Sequence, residues 1–444
     1  MQHSNTVTII GGGLAGSECA LSLAQRGIPV RLFEKKKLDK NEVQKLDGYA
    51  ELVCSNSFKS LKEDSAAGEL KAELKLLGSS LLPLIYEAQV PAGGALAVDR
   101  KIFSQKVSEA LIEHPLIELI DAEVKEVSRE AYTIVACGPL VSETLAQDIQ
   151  NLTGAEHMAF YDAAAPIVET ETLNMDILFA ESRYQKDGSA DYLNAPMNKE
   201  EYERFYTELI AGERVILKDF EQKELFNACQ PIEEVARTGH DSIRFGALKP
   251  VGLTDPRTGK RPWAVVQLRK ENVEASAYNL VGFQTNLKFG EQKRIFRMIP
   301  GLEHAEFSRY GVMHRNTFIN SPQVLSKSFA LKEDPKIRFA GQITGTEGYT
   351  EAIASGLFAA LNTYANIKGF DELCLPKTTV LGALFDYATD KDTKDYQPMH
   401  VNFGLMPALE FKIRNKKERY AAYVKRAQSD LEGLIESRTE LFDV

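Results

Sequence analysis

Residues 6–16 read TVTIIGGGLAG, and this stretch is the starting point for interpreting the whole 444-residue chain. A β-branched run enters a glycine turn, a helix-like segment follows at 18–26, and a second strand-like run occupies 30–34. The order strand, glycine turn, helix, strand is typical of a dinucleotide-binding βαβ unit. In such a unit Gly11 permits the tight turn, Gly13 lets the backbone approach a pyrophosphate, and Gly16 lets the helix pack on the sheet.

An acidic residue completes this motif. Glu34 ends the second strand-like run 21 residues after Gly13, and an acid about twenty residues after the glycines binds ribose hydroxyls. A glycine-rich turn without a ligand is the alternative, but the strand, the helix and the acid together favour a dinucleotide. The sequence therefore predicts a cofactor site formed by Gly11, Gly12, Gly13, Leu14, Ala15, Gly16 and Glu34.

Two later stretches favour FAD over NAD(P) as the tightly held cofactor. Residues 336–345 read KIRFAGQITG, another strand entering a glycine turn, and a helix containing small residues is predicted over 347–364. FAD proteins of the glutathione-reductase type place such a strand and helix under the ribityl chain and flavin ring, and residues 134–139, IVACGP, resemble their central strand-and-glycine element. We therefore predict FAD, with Gly341, Gln342 and Ile343 among the residues that bind it.

The length of the chain favours two or more domains, or one domain with an insertion. Between residues 140 and 301 the βαβ order is lost and the pattern indicates mixed strands and helices; the cofactor domain resumes around Phe318 and Phe339. We predict an α/β protein with a Rossmann-type FAD-binding domain of the glutathione-reductase type at 1–165 and 302–444, and an inserted α+β substrate domain at 166–301.

Composition excludes several classes of protein. With 44% hydrophobic and 26% charged residues, the chain is not expected to be disordered. No apolar run approaches the roughly eighteen residues of a membrane span, and the first residues lack a secretory signal, so we expect no membrane association and a cytoplasmic location. Five cysteines without CxxC spacing argue against disulfides and metal. A net charge of -10 confines any RNA contact to a local basic face.

Two cysteines lie in contexts suited to chemistry. Cys54 stands among polar neighbours soon after the second strand of the dinucleotide motif, where loops approach the cofactor. Cys229 precedes Pro231 in the inserted region, where a helix N-terminus would ionise a thiol. A buried apolar filler is the alternative for either residue, and it is the interpretation for Cys19, Cys137 and Cys374.

Eight blocks of sequence carry a wider resemblance that extends from residue 9 to about 365. They are IGGGLAGSE (10–18), LVCSNS (52–57), VPAGGALAVDR (90–100), CQPIE (229–233), LKPVGL (248–253), VGFQTNL (281–287), YGVMHRNT (310–317) and FAGQITG (339–345). With these blocks the chain resembles the folate- and FAD-dependent tRNA (uracil-5-)-methyltransferases, relatives of larger flavoproteins that modify wobble uridines. Those larger proteins carry a long C-terminal extension that is absent from this sequence, which favours the shorter group.

The resemblance implies transfer of the methylene carbon of 5,10-methylenetetrahydrofolate to carbon 5 of a tRNA T-loop uridine. It further implies reduction to methyl by FAD that NADPH or NADH recharges, with release of tetrahydrofolate. Carbon 5 of uracil becomes nucleophilic when a thiolate adds to carbon 6, and a second group must then remove the proton from carbon 5. The family pair matches Cys54 and Cys229; Cys229 is assigned as the nucleophile and Cys54 as the base or methylene-handling partner, with the reverse order left open.

Further substrate contacts are predicted more loosely. A pterin ring needs a flat partner, so Phe289 or Phe220 is expected to stack on it, the alternative being two core phenylalanines. Relatives in the family often carry tryptophan at the position of Phe289, which is a departure here. His314 and Arg315 lie in a matching block and are expected to touch FAD or RNA.

Two basic segments are candidates for binding RNA. One surrounds the only tryptophan, Trp263, and consists of Arg257, Lys260, Arg261, Arg269 and Lys270, with a solvated hairpin as the alternative. The other is a last helix predicted from Pro407 to about Ser437. Acidic residues are interspersed among its basic residues, which favours a solvent-exposed helix surface over an RNA contact.

Three competing functions remain open on the sequence. A flavin-dependent NAD(P)H oxidoreductase of a small molecule would need a second dinucleotide motif, and none is evident between residues 140 and 301. A flavoprotein that binds RNA without chemistry would leave both cysteines dispensable. The same methylation of a ribosomal RNA uridine is the third, because basic residues that face phosphates position an RNA without identifying it.

Overall fold

The structure is a computed structural model of the 444-residue chain. It describes residues 6–41, 43–154, 158–183, 191–215, 230–393 and 396–442; for residues 158–163, 314 and 315 only the backbone is described.

The described strands are β1 Val7–Ile10, β2 Val30–Glu34, β3 Ser57–Ser60, β4 Gln89–Val90, β5 Ala95–Val98, β6 Ile117–Asp121, β7 Thr133–Val135, β8 Met158–Ala163, β9 Ile167–Glu169, β10 Phe179–Ala180, β11 Tyr192–Met197, β12 Ala264–Lys270, β13 Ala277–Leu280, β14 Phe307–Arg309, β15 Met313–Phe318, β16 Ala330–Leu331 and β17 Asp334–Phe339. The described α-helices are α1 Leu14–Gln25, α2 Ala66–Leu76, α3 Leu81–Glu87, α4 Arg100–Glu113, α5 Glu143–Thr153, α6 Lys199–Ala211, α7 Ile232–Arg237, α8 Ser242–Phe245, α9 Phe289–Phe296, α10 Ser321–Val324, α11 Tyr349–Lys368, α12 Val380–Thr389, α13 Lys416–Ser437 and α14 Thr439–Phe442.

A six-stranded sheet in the order β16-β17-β7-β1-β2-β6 is the centre of the cofactor-binding part. β1 pairs in parallel with both β2 and β7, and β7 pairs in parallel with β17, so residues distant in sequence form one sheet. Its strands are mostly buried and apolar, as expected for a parallel sheet with helices on its faces. The carboxyl ends of β1, β7 and β17 therefore meet at one edge, beside the N-terminus of α1.

A second six-stranded sheet, in the order β10-β11-β12-β13-β9-β14, is antiparallel and has its own hydrophobic core. That core draws on residues 168–305, whereas the core around the parallel sheet draws on residues 7–152 and 318–441. Smaller sheets of β3-β5-β4 and β8-β15 complete the described strands. The second sheet continues through β14 to Arg309, eight residues beyond the predicted end of the insertion.

The predicted strands and helices are largely found, and the main difference is the last helix. It was expected from Pro407 but begins at Lys416, where the Asn415 side chain accepts hydrogen bonds from the backbone of residues 417 and 418. Pro407 instead lies beside the helix, since its carbonyl accepts from Arg426 of α13 at 2.7 Å. The helix thus begins after the asparagine cap eight residues later, and not at the proline that favours a first turn.

Candidate functional site

A cleft of about 1080 Å³, counted to its open mouth, lies along the edge where the parallel strands end. It runs from the end of β2, past the turn between β1 and α1, to the beginning of α11. Its lining includes most of the predicted cofactor residues: Gly11, Gly13, Leu14, Ala15, Glu34, Gly341 and Gln342. Ligands of open α/β sheets bind outside the carboxyl ends of the strands, and this cleft occupies that position.

The glycine turn has the geometry that a pyrophosphate requires. Gly11 has φ 105°, and a Cβ atom there would lie 2.5 Å from the carbonyl oxygen of Ala136. A Cβ on Gly16 would lie 1.8 Å from the carbonyl oxygen of Gly11, so only glycine lets α1 start this close to β1. A Cβ on Gly13 would meet nothing within 4 Å, which leaves open space at an N-terminus without a side-chain cap. Helix N-termini of this kind bind phosphate.

Glu34 is fixed beside the turn. Its carboxylate accepts hydrogen bonds from the backbone N–H of Gly12 at 2.7 Å and of Lys36 at 2.8 Å. The side chain is part-buried and borders the cleft, so its remaining lone pairs face the space where a ribose would lie. This is the position that the sequence assigned to the ribose-binding acid.

The second glycine turn closes the other side of the cleft. Gly341 follows β17 with φ 83° and approaches Ala15 of α1, where a Cβ would lie 3.0 Å from the Ala15 side chain. α11 then packs on α1 so closely that a Cβ on Gly356 would lie 2.4 Å from the carbonyl oxygen of Ala15. The two small-residue helices therefore bring Gln342 and the first turn of α11 to the same cleft as the β1–α1 turn.

Cys54 lies at the edge of this cleft, next to the lining residue Val53. Its backbone N–H donates to the hydroxyl of Tyr349 at 2.7 Å, and the N–H of Ser55 donates to the same oxygen at 3.1 Å. Tyr349 is the first residue of α11 and lines the cleft. Burial raises the pKa of Tyr349, so its hydroxyl stays protonated and its position depends on these contacts.

Arginines hold the carbonyl groups of the Cys54 loop. Arg309 of β14 donates to the carbonyls of Val53 at 3.1 Å and Cys54 at 2.9 Å, and Arg100 donates to that of Leu52 at 2.7 Å. Burial and the nearby Arg100 lower the pKa of Arg309 to about 10. Arg309 Nε has no acceptor within the described part of the chain. The loop therefore lies in a positively charged setting, which stabilises a thiolate or an anionic substrate.

The prediction for Arg269 is wrong in its location. It was expected on a phosphate-facing surface, but every residue of β12 through Arg269 is buried, and its Nε donates to the Asn56 side chain at 2.8 Å. Asn56 in turn donates to the carbonyls of Val98 and Lys270. Arg269 thus connects the second sheet to the loop that carries Cys54. The sequence did not indicate this because a basic residue close in sequence to Trp263 was expected at the surface.

The other cysteines differ in their surroundings. Cys19 is buried in α1 and donates to the carbonyl of Gly356, as a packing residue does. Cys137 lines the cleft, and burial raises its pKa to about 12, so its thiol stays protonated. Cys374 is exposed and lies outside helices and strands, which contradicts its interpretation as a filler. Cys229 lies outside the described residues.

The expected substrate contacts are only partly described. Phe289 begins α9, is 54% exposed, and stacks on Tyr310 with ring centroids 5.0 Å apart; Tyr310 stacks in turn on Phe307 at 5.2 Å. Phe289 is therefore not a core residue, and its outer position is compatible with a flat ligand. Phe220 lies outside the described residues. His314 and Arg315 lie in β15, and their side chains are not described.

We expect Arg309→Met to lower kcat about 100-fold while FAD stays bound, because the Cys54 loop loses two of its fixed carbonyl contacts and a small misplacement of a reacting group costs that much. Turnover and flavin absorbance of the purified variant measure the two quantities. Arg297→Met is the matched control, since Arg297 donates to the backbone of Ala305 away from the cleft. Equal losses in both variants, or an unchanged kcat in Arg309→Met, would contradict a positioning role.

The described residues contain no group of three or more His, Cys, Asp or Glu placed to hold a metal ion. No helix among them is both long enough and apolar enough to cross a bilayer.

Comparison with known proteins identifies extensive similarity. Residues 6–371 match the family model described as glucose inhibited division protein A. The methylenetetrahydrofolate–tRNA-(uracil-5-)-methyltransferase TrmFO of Natranaerobius thermophilus is 52% identical over 432 residues, which cover 97% of this chain and 99% of that protein. The protein of the same name from Streptococcus suis is 50% identical over 438 residues, covering 97% and 98% of the two chains.

Among solved structures, Aquifex aeolicus GidA has a similar fold. One crystal form superimposes with a TM-score of 0.69 at 15% identity, covering 98% of this chain and 75% of that chain. A second form gives a TM-score of 0.68 at 16% identity, covering 99% and 78%. At this identity the likeness concerns the fold, and with the parallel sheet it confirms the predicted α/β fold of the Rossmann type.

Proposed function

The chain belongs to the glucose inhibited division protein A family and, within it, to the methylenetetrahydrofolate–tRNA-(uracil-5-)-methyltransferases; from this premise we propose that it forms 5-methyluridine in the T-loop of tRNA. The observation that carries the proposal is identity of about one half along nearly the whole length of relatives with that name. The donor is 5,10-methylenetetrahydrofolate, FAD is the resident cofactor, and NADPH or NADH is the reductant.

The reaction replaces the hydrogen on carbon 5 of uracil with a methyl group. The folate contributes the methylene carbon and leaves as tetrahydrofolate, and the proton from carbon 5 is released. FAD bound in the cleft and reduced by NAD(P)H would supply the two electrons that reduce the methylene to methyl, and it would return to the oxidised form. The protein must therefore hold three planar ligands near one another, activate uracil, and accept a proton.

The residues of the cleft fit FAD. The turn at Gly11–Gly16 offers uncapped backbone N–H groups and open space at Gly13 for a pyrophosphate, and Glu34 borders the place for a ribose. Gly341, Gln342 and the neighbouring Ile343 are proposed to lie against the ribityl chain and the ring. Tyr349 and Val53 mark the end of the cleft at which the flavin ring would meet Cys54.

Cys54 and Cys229 are proposed as the catalytic pair. Addition of the Cys229 thiolate to carbon 6 would make carbon 5 nucleophilic, and Cys54 would then accept the proton from carbon 5. The support from the structure is the place of Cys54 at the cleft edge, in a loop fixed by Tyr349 and Arg309. Phe289 is proposed to stack on the pterin, and His314 and Arg315 to contact FAD or RNA.

We further propose a cofactor domain at 1–165 and 302–444 and an inserted substrate domain at 166–301. Separate hydrophobic cores support this division, with the inserted sheet extended to Arg309 by β14. A cytoplasmic location is proposed because the substrate is tRNA and because the four described cysteines are free thiols, as in reducing compartments.

The function is tested with the purified protein, NADPH, carbon-labelled methylenetetrahydrofolate and a T-loop minihelix. We expect labelled RNA, and no label when the target uridine is replaced with cytidine. Label only in a ribosomal RNA fragment would support the ribosomal alternative. NADPH consumption without labelled RNA would instead favour a small-molecule oxidoreductase.

A further inference from the structure

Cations and aromatic rings alternate where α6, α8 and the segment before β12 meet, among residues that do not line the cleft. The guanidinium of Arg244 lies 3.8 Å from the centroid of the Trp263 ring and 5.1 Å from that of Phe245. Lys199 Nζ lies 5.6 Å from the same Trp263 ring. Arg244 also donates a hydrogen bond from its Nε to the carbonyl of Trp263 at 3.0 Å, so both the ring and the backbone of Trp263 hold its guanidinium.

The outer ring of this stack is open to solvent. Phe245 is 70% exposed, and Lys260 and Arg261, both exposed, immediately precede Trp263 and Pro262 in the chain. We define the Trp263 patch by these members: Lys199, Arg244, Phe245, Lys260, Arg261 and Trp263.

The charge of this region is opposite to that of the whole chain. Residues 242–263 contain five basic residues and one acid, whereas the chain carries a net charge of -10. That acid, Asp255, is buried and paired with Arg257 at 2.9 Å, so it neutralises a residue outside the patch. The nearest acid to Arg244 is Asp241 at 3.9 Å, a long and half-exposed pair. Glu200 and Glu201 follow Lys199 on α6, so the positive charge that a partner would meet is that of Lys260 and Arg261.

β12 connects this patch to the Cys54 loop. Trp263 immediately precedes the strand, and Arg269 near its other end contacts Asn56, two residues after Cys54. Arg269 is six positions after Trp263, which in extended chain spans roughly 20 Å at about 3.3 Å per residue. A folded RNA stem-loop with one uridine at Cys54 is large enough to reach the patch at the same time.

We propose that the Trp263 patch is a second contact for the substrate RNA, in which Lys260 and Arg261 bind backbone phosphates and Phe245 stacks on an unpaired base. This inference rests on the proposed function, because it takes the occupant of the Cys54 site to be RNA. Phosphates require positive charge and bases stack on exposed aromatic rings, and the patch offers both within a few residues. An acidic protein would find the positive charge but would not require the open ring.

The test compares matched charge reversals in the full-length, FAD-loaded protein. One double variant is Lys260→Glu with Arg261→Glu, and the other is Lys417→Glu with Lys425→Glu on α13, the rival basic surface. We expect the patch variant to raise the Kd for the T-loop minihelix at least tenfold. The slope of log Kd against log salt concentration should fall by about 1.5, which corresponds to two lost phosphate contacts. The kcat at saturating RNA should stay within about twofold of the wild-type value. The α13 variant should keep the wild-type Kd.

Phe245→Ala tests the stacking contact separately. We expect about a tenfold rise in Kd without a change in salt dependence, since base stacking carries no counterion release. Phe411→Ala is the matched control, because Phe411 is 76% exposed and lies elsewhere. Equal Kd values in the two double variants, or a loss confined to the α13 variant, would overturn the proposal. If wild-type protein binds the minihelix without methylating it, the proposed function is wrong, and the comparison of Kd values between the variants still tests the Trp263 patch.

Discussion

Gly16→Ala is expected to yield a protein that has lost both FAD and much of its stability. The added Cβ would lie 1.8 Å from the carbonyl oxygen of Gly11, and that oxygen belongs to the turn itself. Neither the first turn of α1 nor the end of β1 can move without opening the parallel sheet, so we expect a cost of about 3 kcal/mol or more. Flavin absorbance per protein and the midpoint of thermal unfolding measure the two losses.

Gly13→Ala is the matched control and separates cofactor binding from folding. Gly13 has φ -73° and ψ -167°, which any residue adopts, and a Cβ there meets no atom within 4 Å. Without FAD, the Gly13→Ala variant should therefore unfold at the same temperature as wild-type protein without FAD. Its affinity for FAD should fall about 100-fold, because the added methyl group occupies the space of the pyrophosphate. If Gly16→Ala kept its FAD, or if both variants unfolded alike, the turn would not have the role assigned to it.

The contrast between these glycines shows what could be predicted from sequence. The βαβ motif is local: strand, turn, helix and acid lie within residues 6–34, and their spacing carries the geometry. The second glycine turn was predictable for the same reason, and the parallel sheet brings it to the first through pairing of β7 with β1 and β17.

The surroundings of Cys54 were not predictable, because they depend on pairs that are distant in sequence. Tyr349 and Cys54 are 295 residues apart, and Arg309 and Cys54 are 255 apart. No spacing rule connects such residues; only the packing of α11 and of the inserted sheet against the loop does. Arg269 shows the opposite error, since a basic residue on a strand was expected at the surface although β12 is buried on both faces.

Cys54→Ala is expected to lower methylation at least about 1000-fold, the upper part of the range for losing a proton-transfer group, and to leave FAD bound. Cys54 follows the lining residue Val53, and its backbone contacts to Tyr349 and Arg309 do not depend on the thiol. The loop should therefore keep its shape, so a loss of turnover would report the chemistry of the sulphur. Cys137→Ala is the matched control. Cys137 lines the same cleft, and burial raises the pKa of its thiol to about 12, so its replacement should leave activity unchanged.

Two measurements on the same variants show which thiol is the nucleophile and which is the base. An RNA with 5-fluorouridine traps the adduct between the thiolate and carbon 6, because a base can remove hydrogen from carbon 5 as a proton but cannot remove fluorine. If Cys229 is the nucleophile and Cys54 the base, Cys54→Ala should still form the covalent adduct on a denaturing gel but fail to release tritium from carbon 5 of ordinary uridine. Cys229→Ala should fail in both. An adduct lost in Cys54→Ala and kept in Cys229→Ala would reverse the two roles, since only the attacking sulphur is needed for the bond to carbon 6.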